Sequence, residues 1–210
     1  MRIDEIRKRR GFLVQLVLDG EPAALVDKRT MEESPYRVGS SLSEEELSAL
    51  LAESKTRRTR EKALYLLSMR DHSRTELEKK LARESGAEAA ADIAGRMEEL
   101  GLLNDESYAE RLARDLTERR GFSRRHVRQE LTAKGIGRDI VDTVMEGLES
   151  DDTQGALELL RKKRYNDLSD EHVRQKAMAA LGRAGFDWED IRRAVSLRLE
   201  ELENENAGNE

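Results

Sequence analysis

Cysteine is absent, so neither a disulfide framework nor thiol chemistry is available to this chain. Only two prolines occur, Pro22 and Pro35, which leaves about 175 residues without the strongest helix breaker. Aromatic residues make up 4% of the chain, too few for the stacking platforms on which many nucleic-acid binders depend. Long hydrophobic runs are also missing. The longest near the N-terminus, Phe12 to Leu18, has seven residues with Gln15 inside it, too short for a membrane span or a signal-peptide core. These absences predict a soluble, reducing location, taken as cytoplasmic. They also exclude a single thick core.

What is present is charge and helix-forming aliphatic residues: 39% of the 210 residues are charged and 37% apolar, with net charge −6. The mixture favours small helical units, each with a thin apolar seam. The charge is banded. Residues 56–74 carry six cations against two acids, residues 109–138 nine against four, and 161–164 read RKKR. Between them, 75–108 carry four against nine, and 139–160 have seven acids and no cation. Such alternation says more about partners than the sum does.

Residues 11–27, GFLVQLVLDGEPAALVD, alternate Phe12, Val14, Leu16 and Leu18 on one face ahead of a DGEP turn, which predicts a β-hairpin. The charged MRIDEIRKRR before it is left unassigned, and MEESPYRVGSS after it reads as a loop. A helix opens at Ser43 with Glu46 closing a capping box. Further starts are predicted at Ser73, Asp105, Ser123, Asp152, Ser169 and Asp187, and stops at Gly86, Gly101, Gly121, Gly135, Gly147 and Gly185. Nine helices of roughly 10–15 residues fit these signals from residue 59 onward.

The helices repeat. HVRQ at 126–129 recurs at 172–175, SRTELEKKL at 73–81 aligns with SRRHVRQEL at 123–131, and KGI at 134–136 aligns with AGF at 184–186. Ala63, Ala109 and Ala156 open the first helices; Ile93, Ile140 and Ile191 mark the third. The spacing gives a three-helix unit of about 47–50 residues. The expected architecture is all-α: three tandem three-helix repeats in an elongated array, with a hairpin-and-helix extension. The expected boundaries are extension 1–58, repeats 59–103, 104–150 and 151–200, and a frayed acidic tail 201–210.

Candidate binding residues are the basic clusters: Arg57, Arg58, Arg60, Arg70 and Arg74 around the first repeat; Arg119, Arg120, Arg124, Arg125, Arg128 and Lys134 in the second; Arg161, Lys162, Lys163 and Arg164 in the third. Arginine forks suit carboxylates and phosphates. Arg124, Arg125 and Arg128 lie at offsets of one and four, which predicts a shared face near a helix N-terminus, where cations oppose the macrodipole and stability alone does not favour them. Against this stands the plainer reading of a solvated face with internal ion pairs. The acids Asp139, Asp142, Glu146 and Glu149 form the opposing band, and neutralisation between repeats accounts for it nearly as well as a partner does. Tyr65, Tyr108 and Trp188 are expected in the core. His72, His126 and His172 fall one per repeat and carry no metal spacing; with no P-loop either, no catalytic, metal or cofactor site is expected.

In order and spacing, these residues resemble the RecX family. The stretch Ala63 to Arg70, then Ser73, Glu76-Leu77 and Leu81, is similar to the start of its pattern. Gly101-Leu102 with Asn104-Asp105 and Tyr108-Ala109 matches the following turn; Arg120-Gly121, Leu131 and Lys134-Gly135-Ile136 match the middle; Gly185-Phe186 and Ile191 match the end. The resemblance covers roughly 59–200 and treats 1–58 as a variable extension. It implies a non-enzymatic regulator of RecA, active in recombination, repair and the SOS response. Such a protein lies in the groove of the RecA–single-stranded-DNA filament, bridges protomers, and suppresses ATP hydrolysis, filament extension and strand exchange. A monomer is expected. Some members touch DNA directly, but many are strongly basic, whereas this chain is acidic. That weighs against DNA contact more than against RecA contact. The alternatives are an independent DNA-binding repeat protein and a helical scaffold for another partner.

Overall fold

In the computed structural model, which describes residues 1–148 and 151–207, the chain divides into two units, 1–103 and 104–210.

The first unit begins with an antiparallel meander of β1 (Ile3–Lys8), β2 (Leu13–Leu18) and β3 (Glu21–Asp27). Asp19 and Gly20 both take positive φ, 48° and 87°, the geometry the Asp-Gly dipeptide favours in a tight hairpin. The predicted hairpin is thus two of three strands. IDEIRK was not recognisable as the third because only Ile3 is buried and Ile6 half-buried along it. Its pairing with β2 supplies the order that its pattern lacks, and its charges blunt the sheet edge. Ile3, Val14, Leu16, Leu18 and Val26 face Met31, Leu42 and Leu50 in one core.

Met31 belongs to α1 (Lys28–Glu33), which takes up the start of the predicted loop. Leu50 belongs to α2 (Glu44–Met69), opened by the Ser43–Glu46 capping box. This 26-residue helix serves two cores. Its first half covers the sheet, with Ser54 Oγ accepting from the buried Asp27 N–H at 2.7 Å. Its second half contributes Ala63, Leu66 and Leu67 to a bundle with α3 (Arg74–Ser85) and α4 (Ala87–Glu99), around Leu77, Leu81, Ile93 and Met97. No break falls between residues 58 and 59, where the extension was expected to end.

The second unit holds two three-helix bundles. The first is α5 (Asp105–Arg114), α6 (Arg124–Ala133) and α7 (Arg138–Gly147), around Tyr108, Ala109, Leu116, Val127, Leu131 and Val141. A π-helical turn, Asp115–Arg119, continues α5. The second is α8 (Asp152–Lys162), α9 (Glu171–Arg183) and α10 (Trp188–Ala207), around Leu160, Leu168, Leu181, Phe186, Ile191 and Ala194. Caps lie within a residue of the predicted starts: Asn104, Ser123, Asp151 and Asp170 each accept from first-turn N–H groups. The expected tail is helical as far as Ala207, because Arg198 binds Glu201 and Glu205 at 3.0 Å and Arg161 binds Glu201. Residues 208–210 lie outside the described residues.

Phe122 joins the two bundles by packing against both cores. Beside it, the Ser123 N–H donates to the Ala184 carbonyl at 3.0 Å, and the Arg124 N–H donates to Asp152 Oδ1 at 3.0 Å. The carboxylate answers an orphan donor at the α6 N-terminus, where negative charge is favoured. Gly185, at φ 93°, approaches so closely that a Cβ there would lie 2.6 Å from Ser123 Oγ and 2.7 Å from His126 Cβ.

Candidate partner-binding surfaces

Many of the predicted basic residues work inside the fold. Arg57 ties α2 to α1 through Glu33, with Asp27 at 3.9 Å. Arg70 lies 3.5 Å from Glu76, and Arg74 joins Glu78 at 2.9 Å and Glu98 at 2.6 Å. Arg161 is held by Glu201. Lys134 is half-buried at the C-cap of α6.

Arg124, Arg125 and Arg128 do not form one outward face. The Arg124 guanidinium donates to the Met145 and Leu148 carbonyls, closing the C-terminal end of α7. Arg128 pairs with Asp142, which Arg138 also approaches at 3.6 Å. The hydrogen bond from Arg128 holds the Asp142 carboxyl below the usual range. Arg125 alone is exposed without an ion pair among the described residues. Its charge adds to the backbone N–H of Asp190 in lowering the Asp187 carboxyl. Two of the three cations therefore meet the negative end of α7 and its acids, which offsets their unfavourable place on α6. Neutralisation runs within the repeat, between α6 and α7. Glu149, the last acid of that band, lies outside the described residues.

Two groups remain outward. On α2, Arg58, Tyr65 and Met69 recur at spacings of seven and four, which places them on one helix face turned away from Ala63 and Leu67. Tyr65 is 62% and Met69 67% exposed, so Tyr65 is not the core residue expected. Arg60 is exposed on another side of the helix, in a shallow cleft with Arg29, Glu53 and Leu64. Trp188 likewise fails the core expectation: it is 58% exposed, and the Arg192 guanidinium lies 5.9 Å from its ring. Tyr108 is buried as expected.

The second group is a ledge where two clusters distant in sequence meet. Lys162 Nζ donates to the Arg119 carbonyl, bringing the end of α8 onto the π turn. Arg119 and Arg120 share one carboxylate, Asp115, at 3.2 and 3.0 Å. Lys163 and Arg164 follow, both exposed. The sequence held these as separate charge runs, and only the packing of α8 on the π turn joins them.

The histidines differ in their surroundings. His72 is buried before α3, its Nδ1 2.9 Å from the Arg70 carbonyl and Nε2 3.1 Å from Lys80 Nζ. The Nδ1–H donates a hydrogen bond to that carbonyl, and burial lowers the pKa of the ring. His126 stacks on Phe122 with centroids 4.1 Å apart, and His172 is exposed on the first turn of α9.

The paired bundles of the second unit coincide with known family domains. Residues 104–145 match the profile of the RecX second three-helix domain, and 150–195 that of the third. The regulatory protein RecX of Stenotrophomonas maltophilia is 36% identical over 138 residues, 64% of this chain and 83% of the relative. The chain belongs to the RecX family. The Chlorobaculum tepidum RecX is 34% identical over 66% of this chain and 87% of its own length. That of Clostridioides difficile is 25% identical but spans 93% of both chains. A crystal structure of regulatory protein RecX superposes with TM-score 0.60 at 22% identity, covering 91% of this chain and 97% of the other. RecX from Lactobacillus salivarius gives 0.56 at 23% identity, covering 72% and 98%. The fold of three-helix domains with a small N-terminal sheet is therefore that of RecX, and the chain is a RecX-type regulatory protein. No helix among the described residues is long and apolar enough to cross a membrane.

Proposed function

We propose that this chain is a negative regulator of RecA that binds the groove of the RecA–single-stranded-DNA filament and inhibits ATP hydrolysis, filament extension and strand exchange. The observation that carries the reading is family membership: relatives named regulatory protein RecX align over about two thirds of the chain. The geometry supplies a surface suited to a protein partner. Tyr65 and Met69 stand exposed on α2 with Arg58 on the same face. Tyr and Arg are enriched among the residues that dominate binding energy at protein interfaces. Neither Tyr65 nor Met69 belongs to the buried core of the bundle. Regulation by binding fits a molecule many of whose charged side chains serve caps and ion pairs. On this reading the chain acts in the cytoplasm, in recombinational repair, and as a monomer.

Cosedimentation with RecA filaments assembled on single-stranded DNA tests the proposal. Wild-type protein is expected in the pellet. A Tyr65→Ala, Met69→Ala double variant is expected to bind at least about tenfold more weakly, as for the loss of one interface anchor. Wild-type protein staying in the supernatant at micromolar filament would overturn the proposal. Full binding by the double variant would move the contact away from α2.

A further inference from the structure

The inner face of the N-terminal sheet is only partly covered. Across the β1–β2 pair, Ile6 lies opposite Leu16 and Lys8 opposite Val14, so both stand on the side where Val14 and Leu16 enter the core. Leu16 is fully buried, yet Ile6 is half-buried and Lys8 exposed. Helix α1 packs Met31 against this face but is only six residues long and ends at the Ser34 cap. Between the strands and the helix a cleft of about 270 Å³ stays open.

The cleft has an apolar floor and a cationic rim. Ile6, Val14, Met31 and Tyr36 line the floor. Lys8, Lys28 and Arg37 stand around it with a single carboxylate, Glu32. Glu32 meets Lys28 at 3.6 Å, and Lys8 has no ion pair among the described residues. The Arg37 guanidinium donates to the Ser34 and Tyr36 carbonyls at 2.7 and 2.6 Å, which fixes its position without cancelling its charge. Glu46, whose charge reaches Tyr36, accepts the Ser43 N–H of the capping box at 2.7 Å. Even with Glu46 counted, cations stay in excess. A lysine turned inward on an edge strand guards against pairing with another sheet. That accounts for Lys8 and leaves Lys28 and Arg37 unexplained.

Phe12 adds apolar surface at the same place. It lies two residues ahead of Val14 and is 76% exposed, and its carbonyl accepts the Lys28 N–H at 2.7 Å. A cleft this small admits one alkyl chain or ring and not a helix or strand of a partner. The floor favours an apolar chain, and the rim offers charge-assisted hydrogen bonds to an anionic head while repelling a cationic one.

We infer that this cleft binds a single-chain anionic amphiphile, of which a fatty-acid carboxylate is the simplest. The chain lies on Ile6, Val14, Met31 and Tyr36, and the head sits between Lys8 and Lys28. None of Arg58, Tyr65 and Met69 lines the cleft, so its test does not depend on RecA.

The test is an NMR titration of the full chain carrying isotope-labelled methionine methyl groups. The probes are decanoate, below its micelle concentration, and decylammonium, a chain of the same length with the opposite charge. Decanoate is expected to move the Met31 signal saturably and to leave that of Met145, buried in the second unit, in place. Decylammonium is expected to bind at least about tenfold more weakly. Lys8→Glu with Lys28→Glu replaces two exposed side chains, so the double variant is expected to fold as wild type does by circular dichroism and to reverse the preference between the probes. No saturable movement of Met31, equal affinity for the two probes, or equal movement of Met31 and Met145 would each overturn the inference. So would a folded double variant that still prefers decanoate.

Discussion

Arg124 is a cation whose unfavourable place on its own helix is offset by bonds it makes inside the fold. A cation on the first turn of α6 opposes the helix dipole, which marks it as placed for something. Its guanidinium satisfies the Met145 and Leu148 carbonyls at the end of α7. Arg124→Ala is therefore expected to destabilise by about 1–3 kcal/mol, the range for stranding acceptors that a charged donor served. Arg125→Ala, exposed and outside any ion pair among the described residues, is expected to change stability by less than about 0.5 kcal/mol. Chemical denaturation of the two variants checks the contrast; equal effects would refute the division of roles. Gly185 is subject to a different limit. Its positive φ and the 2.6 Å approach of a built Cβ to Ser123 Oγ predict a loss of at least about 2 kcal/mol for Gly185→Ala, read in the same denaturation experiment.

His72 adds a pH dependence of known sign. Burial lowers its pKa in the folded chain, so the unfolded chain binds the extra proton first. The contribution of neutral His72 to stability is then complete above the ordinary imidazole pKa of about 6.5 and falls as pH drops from there toward the folded value. Melting temperatures measured between about pH 7.5 and 5.5 are expected to decline more for wild type than for His72→Gln. A parallel decline in the two proteins would contradict the assignment.

At the scale of elements, capping residues and left-handed glycines were legible because each satisfies a local backbone need: Ser43, Ser73 and Ser123 accept at helix starts, and Gly101, Gly135 and Gly185 turn the chain at ends. Elements that depend on distant partners were not. β1 has a charged sequence and is a strand because β2 pairs with it. The π turn at Asp115–Arg119 leaves no hydrophobic signature of its own. Helix α2 was divided at residue 58 because its apolar face changes partner there, from the sheet to α3 and α4, while its backbone continues. The exposure of Tyr65 and Met69 is consistent with the helical wheel, since the core residues Ala63 and Leu67 lie on the opposite side. Large apolar residues are not all buried in folded proteins, so residue type alone does not place them.

At the scale of the whole molecule, the repeat was legible from the recurrence of HVRQ and the aligned turns, while the RecX membership rests on the matching family domains and relatives. The binding surfaces were less so. Charge runs count residues, whereas exposure depends on which acid each cation meets. Arg57, Arg74, Arg128 and Arg161 pair within the fold, and the ledge forms from runs more than forty residues apart, as the contact of Lys162 with Arg119 shows.

The central claim is regulation of RecA, and the most direct measurement is RecA ATP hydrolysis on single-stranded DNA, titrated with this protein. Hydrolysis is expected to fall as wild-type protein is added, with the Tyr65→Ala, Met69→Ala variant needing about tenfold more for the same effect. An unchanged rate with wild-type protein in several-fold excess over RecA would contradict the account.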